Sequence, residues 1–259
     1  MSQQSSDSAA IPSERPNPDL YPDLAAAGSL AAALEQVADE MGLDLGEVER
    51  SNSDPNWATV TGAAPGLEYY SIWLAAQERR FLIEGWSRGV SLIHGTTDDL
   101  HAVTKAAAAW RTGATLRELR DLCPFITFNE LAEAHERGPA DAVTMMWRLV
   151  REEMAEDIPF PAVRDLVEAA YAEPKLRQLY PVTSHWSLHF STCTGFPFTW
   201  VVPFVDPLRD GRYRVCGPHR GTVVGEADTA EQAIALVVGH MPSDIGPAVV
   251  GTADDLAGS

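Results

Sequence analysis

Basic residues are scarce: 19 Lys and Arg stand against 37 Asp and Glu in 259 residues, a formal charge of −18. A chain this acidic repels phosphates, which argues against nucleic acid and anionic membrane surfaces as partners. Cysteine is nearly as sparse. Cys123, Cys193 and Cys216 are odd in number and form no CxxC pair, so neither a disulfide framework nor a zinc or redox pair is legible and a reduced, cytoplasmic setting fits best. No run approaches the roughly 20 apolar residues of a membrane span. The opening stretch MSQQSSDSAAIPSERPNPDLYPD lacks the basic and apolar regions of an export signal. GxGxxG, GxxxxGK(S/T) and HExxH are also missing, so dinucleotide, P-loop and zinc-protease readings lack their signatures, and a serine-hydrolase elbow is not expected either. No cofactor and no metal site is expected.

What is present is a globular composition, with 45% hydrophobic and 22% charged residues, enough for one or two domains with a sizeable core. Residues 1–20, with Pro12, Pro16 and Pro18 among Ser and Gln, read as a flexible tail. In 23–41, Leu30, Leu34, Val37 and Met41 recur at helical steps before Gly42, predicting one helix with a C-cap glycine. The period then changes from 3.6 to 2. Strands are expected over 57–61, 67–74, 80–85 and 90–94, and a helix capped by Thr97 over 98–110. Helical periods return over 129–136, 140–155, 161–171 and 174–179, broken at Gly138-Pro139, Pro159 to Pro161 and Pro174.

The order of elements then repeats. Trp186 is expected to open a second set of strands as Trp57 opens the first, and Arg80-Phe81-Leu82-Ile83-Glu84-Gly85 reappears in kind as Arg212-Tyr213-Arg214-Val215-Cys216-Gly217. Val103, Ala106, Ala107 and Trp110 answer to Ile234, Val237, Val238 and Met241 at an offset of 131 (241 − 110), with Asp228 in the place of Thr97 as cap. The expected fold class is α+β: two similar helix/antiparallel-sheet/helix modules, residues 21–120 and 181–252, joined by a helical connector, 121–180.

The stretches VEAAYAEPKLRQLYPVTSHWSLHFST (167–192) and LYPDLAAAGSLAAAL (20–34) resemble an actinobacterial family of unknown function whose members are commonly labelled natural product biosynthesis proteins. The resemblance runs from about residue 18 to 252 and implies a biosynthetic setting. No catalytic residue carries over from it.

The best candidate site is 184–194, S-H-W-S-L-H-F-S-T-C-T, read as one alternating strand with Trp186, Leu188, Phe190 and Thr192 on one face. His185, Ser187, His189, Ser191 and Cys193 share the other face. At about 3.3 Å per residue, His189 and Cys193 stand roughly 13 Å apart, as do His185 and His189, so the strand itself holds neither a Cys-His dyad nor a two-His metal site. The plainer reading is a solvated or covered sheet face. His219 and Arg220, in a glycine-flanked loop, could meet an anionic ligand, although such a turn needs no function. His94, placed at a strand end before Gly95 and facing the next helix, is a weaker ligand or base candidate. Cys216, standing where Glu84 stands in the other copy, is expected to be peripheral. Trp57, Trp73, Trp86, Trp186 and Trp200 all fall in predicted strands and could line an apolar groove between the sheets. These features favour a binding or accessory protein that holds a small molecule, a peptide or a partner enzyme. The alternative is a cofactor-free cyclase, lyase or hydrolase with His189 as base and Ser187, Ser191 or Cys193 nearby.

Overall fold

The computed structural model describes residues 16–50, 54–155, 161–218 and 222–258. They divide into two compact units, one of residues up to 86 with 93–127 and one of 87–92 with 128 onward. Of the expected tail, 1–15 lie outside the described residues. Residues 17–20 form a turn in which the Asn17 carbonyl accepts the Tyr21 amide at 2.8 Å.

In the first unit, helices α1 (Pro22–Ala27) and α2 (Leu30–Met41) precede strands β1 (Val48–Arg50), β2 (Trp57–Thr61), β3 (Leu67–Leu74), β4 (Phe81–Ser87) and β5 (Val90–Thr97). Helices α3 (Leu100–Arg111) and α4 (Leu116–Leu122) and a short β6 (Ile126–Thr127) follow. The strands lie in sequence order as a meander. The single helix expected over 23–41 is two. Gly28, at φ 90, closes α1 in the left-handed region, and the Ser29 hydroxyl accepts the Ala32 amide to start α2. The cap of α3 also differs: Asp99 accepts the His101 and Ala102 amides, while Thr97 ends β5.

Alternation in β2, β3 and β4 turns Ala58, Val60, Tyr70, Ile72, Phe81 and Ile83 inward, where they are buried with Leu34, Val103 and Trp110. Each of the valine, leucine, isoleucine and phenylalanine side chains among them contributes roughly 1.5–3 kcal/mol. Tyr21 ties the start of the unit to the β3–β4 connection. Its hydroxyl lies 2.8 Å from the Ala75 carbonyl and 3.0 Å from that of Arg80, and accepts the Arg80 amide at 3.0 Å. Arg79 stacks on the Tyr21 ring and pairs with Asp23 at 2.7 Å, and that hydrogen bond holds the Asp23 carboxyl below its usual range.

In the second unit, helices α5 (Glu130–Arg137), α6 (Pro139–Ala155), α7 (Pro161–Ala172) and α8 (Pro174–Arg177) lead into β7 (Tyr180–Ser184), β8 (Ser187–Ser191), β9 (Phe204–Pro207), β10 (Tyr213–Cys216) and β11 (Val223–Ala227). Helices α9 (Ala230–His240) and α10 (Ala253–Ala257) complete it. This sheet is again a meander in sequence order. Trp147 of α6, Val163, Leu166 and Val167 of α7, Leu188, Phe190, Val205 and Val215 of the sheet, and Ile234 and Val237 of α9 form one core. The class is therefore α+β, with two antiparallel sheets among helices.

The first sheet has six strands, five of them between α2 and α3, and the second has five, between α8 and α9; the fourth strand of each follows an arginine and buries an aromatic and a β-branched residue, Phe81 and Ile83 or Tyr213 and Val215. The helices that follow register at 130 (229 − 99), not 131. That offset pairs the caps Asp99 and Thr229 and the buried Leu100, Val103, Thr104 and Ala107 with the buried Ala230, Ala233, Ile234 and Val237. Asp228 lies one residue ahead of the true cap, Thr229, and Val238 and Met241 are only half-buried. Among the described residues no helix is long and apolar enough to cross a membrane.

His135 of α5 sits against buried Tyr180, its Nε2 3.3 Å from the Tyr180 hydroxyl. Burial pushes the imidazole down from 6.5 to about 4 and the phenol up to about 12. The unfolded chain takes the proton near 6.5 while the folded chain resists until about 4, so stability is full above the first value and falls as pH drops through it. Between pH 7.5 and 5 this one residue should remove about 2 kcal/mol, read as a lower urea midpoint. His135→Gln should flatten that part of the profile, and an unchanged slope would refute the assignment.

Candidate functional site

The stretch 184–194 is not one strand. His185 and Trp186, at φ 51 and 74, form a two-residue turn, and Ser184 pairs with Ser187 across it. The two positive φ values and the loop length fit the turn twist that hairpins favour. That position usually takes Asn-Gly, and a bulky residue in the left-handed region is strained by about 1–3 kcal/mol. The Ser184 hydroxyl lies 3.2 Å from His185 Nδ1. Trp186 is 47% exposed at the turn, so it does not open a strand or share the inner face.

Within β8 the alternation holds: Leu188 and Phe190 face the core, and Ser187 and His189 face outward. The strand pairings turn this into two rows across the outer face. One runs Ser184, Ser187, Asp206, Arg214 and Glu226. The other runs Val182, His189, Phe204, Cys216 and Val223. Neighbours in each row are a strand spacing apart, so polar groups from five strands meet where no single segment could gather them.

In the polar row the Ser187 hydroxyl donates to the Asp206 carboxylate, and the Cys216 thiol donates to the other Asp206 oxygen at 3.6 Å. Burial and the adjacent Asp206 charge push the Cys216 thiol up to about 11, so at neutral pH it is no nucleophile. Cys216 is buried and bonded to the central carboxylate, which corrects the expectation that it is peripheral. Arg214 is held by Glu226 at 3.0 Å.

His189 belongs to an aromatic group. Its ring stacks on Phe204 at 4.3 Å and 20°, and Trp200 meets it edge-on at 4.9 Å. Around them lies a cavity of about 220 Å³ lined by Ser184, His189, Trp200, Val202, Phe204 and Pro218. Trp200 continues a series with Phe198 and Phe196, whose rings touch edge-on at 6.4 and 5.7 Å. Phe196 is 58% and Trp200 45% exposed. Trp200 lies in no strand, contrary to expectation; Trp57, Trp73 and Trp86 do lie in β2, β3 and β4.

Two devices hold this aromatic segment. The Ser191 hydroxyl, fully buried, accepts the Cys193 and Thr199 amides at 3.2 Å each and donates to the Cys193 carbonyl at 2.8 Å. The chain near residue 250 lies alongside it, joined by Thr194 to Val249 at 3.1 Å, Gly195 to Gly251 at 2.8 Å and Ala253 to Pro197 at 2.7 Å. Cys193 is enclosed in this knot, past the end of β8, and its thiol reaches the Gly195 carbonyl at 3.6 Å. It therefore does not share an open face with His189.

His219 and Arg220 lie outside the described residues. His94 is not at a strand end, because β5 continues through Gly95 to Thr97; its side chain is exposed and its carbonyl accepts the Thr127 hydroxyl at 3.0 Å. Gly85-Trp86-Ser87-Arg88-Gly89 spells GxSxG, but Arg88 and Gly89, at φ 48 and 68, turn β4 back into β5. A nucleophile elbow needs a strand-to-helix turn. Among the described residues no group of three or more His, Cys, Asp or Glu side chains is placed to hold a metal ion. Sequence reasoning missed Phe204, Asp206 and the role of Trp200. The two-residue spacing of Phe196, Phe198 and Trp200 was the available signal.

Relieving the turn gives a direct test. Trp186→Gly should stabilise the second unit by about 1 kcal/mol, because glycine takes positive φ without steric cost. A lower melting temperature for this variant would show that the indole stabilises the turn more than its backbone strain costs.

Residues 141–252 match the model of DUF6193, a family of unknown function. No curated protein and no solved structure matches the chain. Over residues 141–252, which include both rows and the aromatic segment, the chain is similar to that family.

Proposed function

We propose that this is a binding or accessory protein of natural product biosynthesis, which holds a ring-bearing part of a peptide, an intermediate or a partner enzyme on the outer face of its second sheet. The observation that carries the reading is the preformed aromatic cavity of His189, Phe204 and Trp200. At about 220 Å³ it is smaller than the roughly 300–1,000 Å³ of sites that enclose a whole drug-sized ligand. It suits one ring or one side chain of something larger, with Trp200 and Phe196 as exposed anchors beside it.

The chemistry around it favours recognition over turnover. The Ser187 hydroxyl donates its hydrogen bond to Asp206, the Cys216 thiol is pushed up to about 11, and Cys193 is enclosed. The enzyme alternative would need His189 to act on a bound substrate. Setting and partner chemistry rest on the resemblance to biosynthetic proteins and on the charge of −18, which disfavours nucleic acid.

Trp200→Ala and Phe204→Ala should each weaken binding of the precursor peptide, intermediate or enzyme encoded beside this chain in the producing strain at least about tenfold by calorimetry or native mass spectrometry, a loss of about 1.4 kcal/mol. His189→Gln, which takes one ring out of the same cavity, should weaken binding alongside those two variants and reduce product formation in the producing strain only in step with that loss. Absence of binding to every one of these partners would overturn the proposal, and loss of product with binding intact would transfer it to the enzyme reading.

A further inference from the structure

The first unit, outside the family match, carries a separate cavity of about 520 Å³ on its own sheet. Its walls are the Trp73 indole, the Leu82 side chain, the Phe125 ring and Ile83, and its polar groups include Glu84 and His94. Leu82 is 40% exposed, so an apolar wall stands open to solvent. Gly95 lets the Phe125 carbonyl close one side, since a Cβ there would lie 2.5 Å from that oxygen. The volume falls within the range of whole small-molecule sites.

The charge is one-sided. Glu84 supplies a carboxylate, no lysine or arginine lines the cavity, and the chain carries a formal charge of −18. The carboxylate is held in place, because Glu84 Oε2 accepts the Trp86 indole N–H at 3.1 Å. A positioned carboxylate beside an indole and a second aromatic ring is the setting in which an ammonium group gains both an ion pair and attraction to ring faces. An anion there would meet Glu84 and the field of the whole chain.

We propose that this cavity binds a small amphiphilic amine, its ammonium at Glu84 and its ring or short apolar body against Trp73, Leu82 and Phe125. The site is independent of the aromatic cavity on the second sheet.

Three probes that share a phenyl ring and differ in charge test it: 2-phenylethylamine, 2-phenylethanol and phenylacetate, titrated into the full chain by NMR with the indole resonances assigned. The amine should bind at least about fivefold more tightly than the alcohol, corresponding to about 1 kcal/mol for a partly exposed ion pair, and phenylacetate most weakly. Shifts should centre on Trp73 and not on Trp200. Glu84→Gln should bring the amine down to the affinity of the alcohol, and Leu82→Arg, at an exposed position, should weaken the amine and the alcohol together. Equal binding of all three probes, no binding at millimolar concentration, an unaltered amine affinity in Glu84→Gln, or shifts confined to Trp200 would each overturn the proposal. Binding by Trp200 can fail or succeed without moving the Trp73 readout, so the two sites are judged separately.

Discussion

The register of one hairpin decides what the second sheet can do. Because side chains alternate with a period of two, the His185-Trp186 turn that pairs Ser184 with Ser187 also determines that Leu188 and Phe190 enter the core while Ser187 and His189 face out. A slip of one residue would bury an imidazole and expose a phenylalanine. The pairing then carries across β9 and β10, bringing Asp206, Phe204 and Cys216 into line with Ser187 and His189. The turn places His185 and the bulky Trp186 at positive φ, where an indole costs more than a glycine would.

Chemistry on the outer face follows from what each polar atom is already doing. Asp206 receives both a hydroxyl and a thiol, so the carboxylate at the centre of the polar row is engaged in holding its neighbours. Beside it the aromatic row offers flat surfaces and a small void. Stacked rings contribute area and a preferred geometry without moving protons. An aromatic segment with no strand partners of its own would be costly to hold open to solvent, and the Ser191 knot together with the chain near residue 250 supplies that support.

Strands of the first unit were legible because their alternation is local: β2 and β3 run over the residues that the period of two indicates, 57–61 and 67–74. Elsewhere a competing local rule won. Gly28-Ser29 reads equally as a helix interior and as a stop followed by a cap, and the backbone takes the second course. His185-Trp186 continues an alternating pattern so well that nothing in composition marks a turn; the reversal is imposed by pairing of β7 with β8. The short β1 and β6 have too few residues to show any period. For the site, His189 and Ser187 stood out by residue type, whereas Asp206 and Phe204 join them only through cross-strand register.

All three thiols are enclosed: Cys123 at the end of α4, Cys193 in the hydroxyl knot and Cys216 beneath Asp206. Burial raises the Cys123 and Cys216 ionisations, so an alkylating reagent reaches sulfur only when the surrounding structure opens. Nature has in effect placed one silent chemical clock in the first unit and two in the second, and the rate at which each cysteine is modified times the breathing of its own neighbourhood.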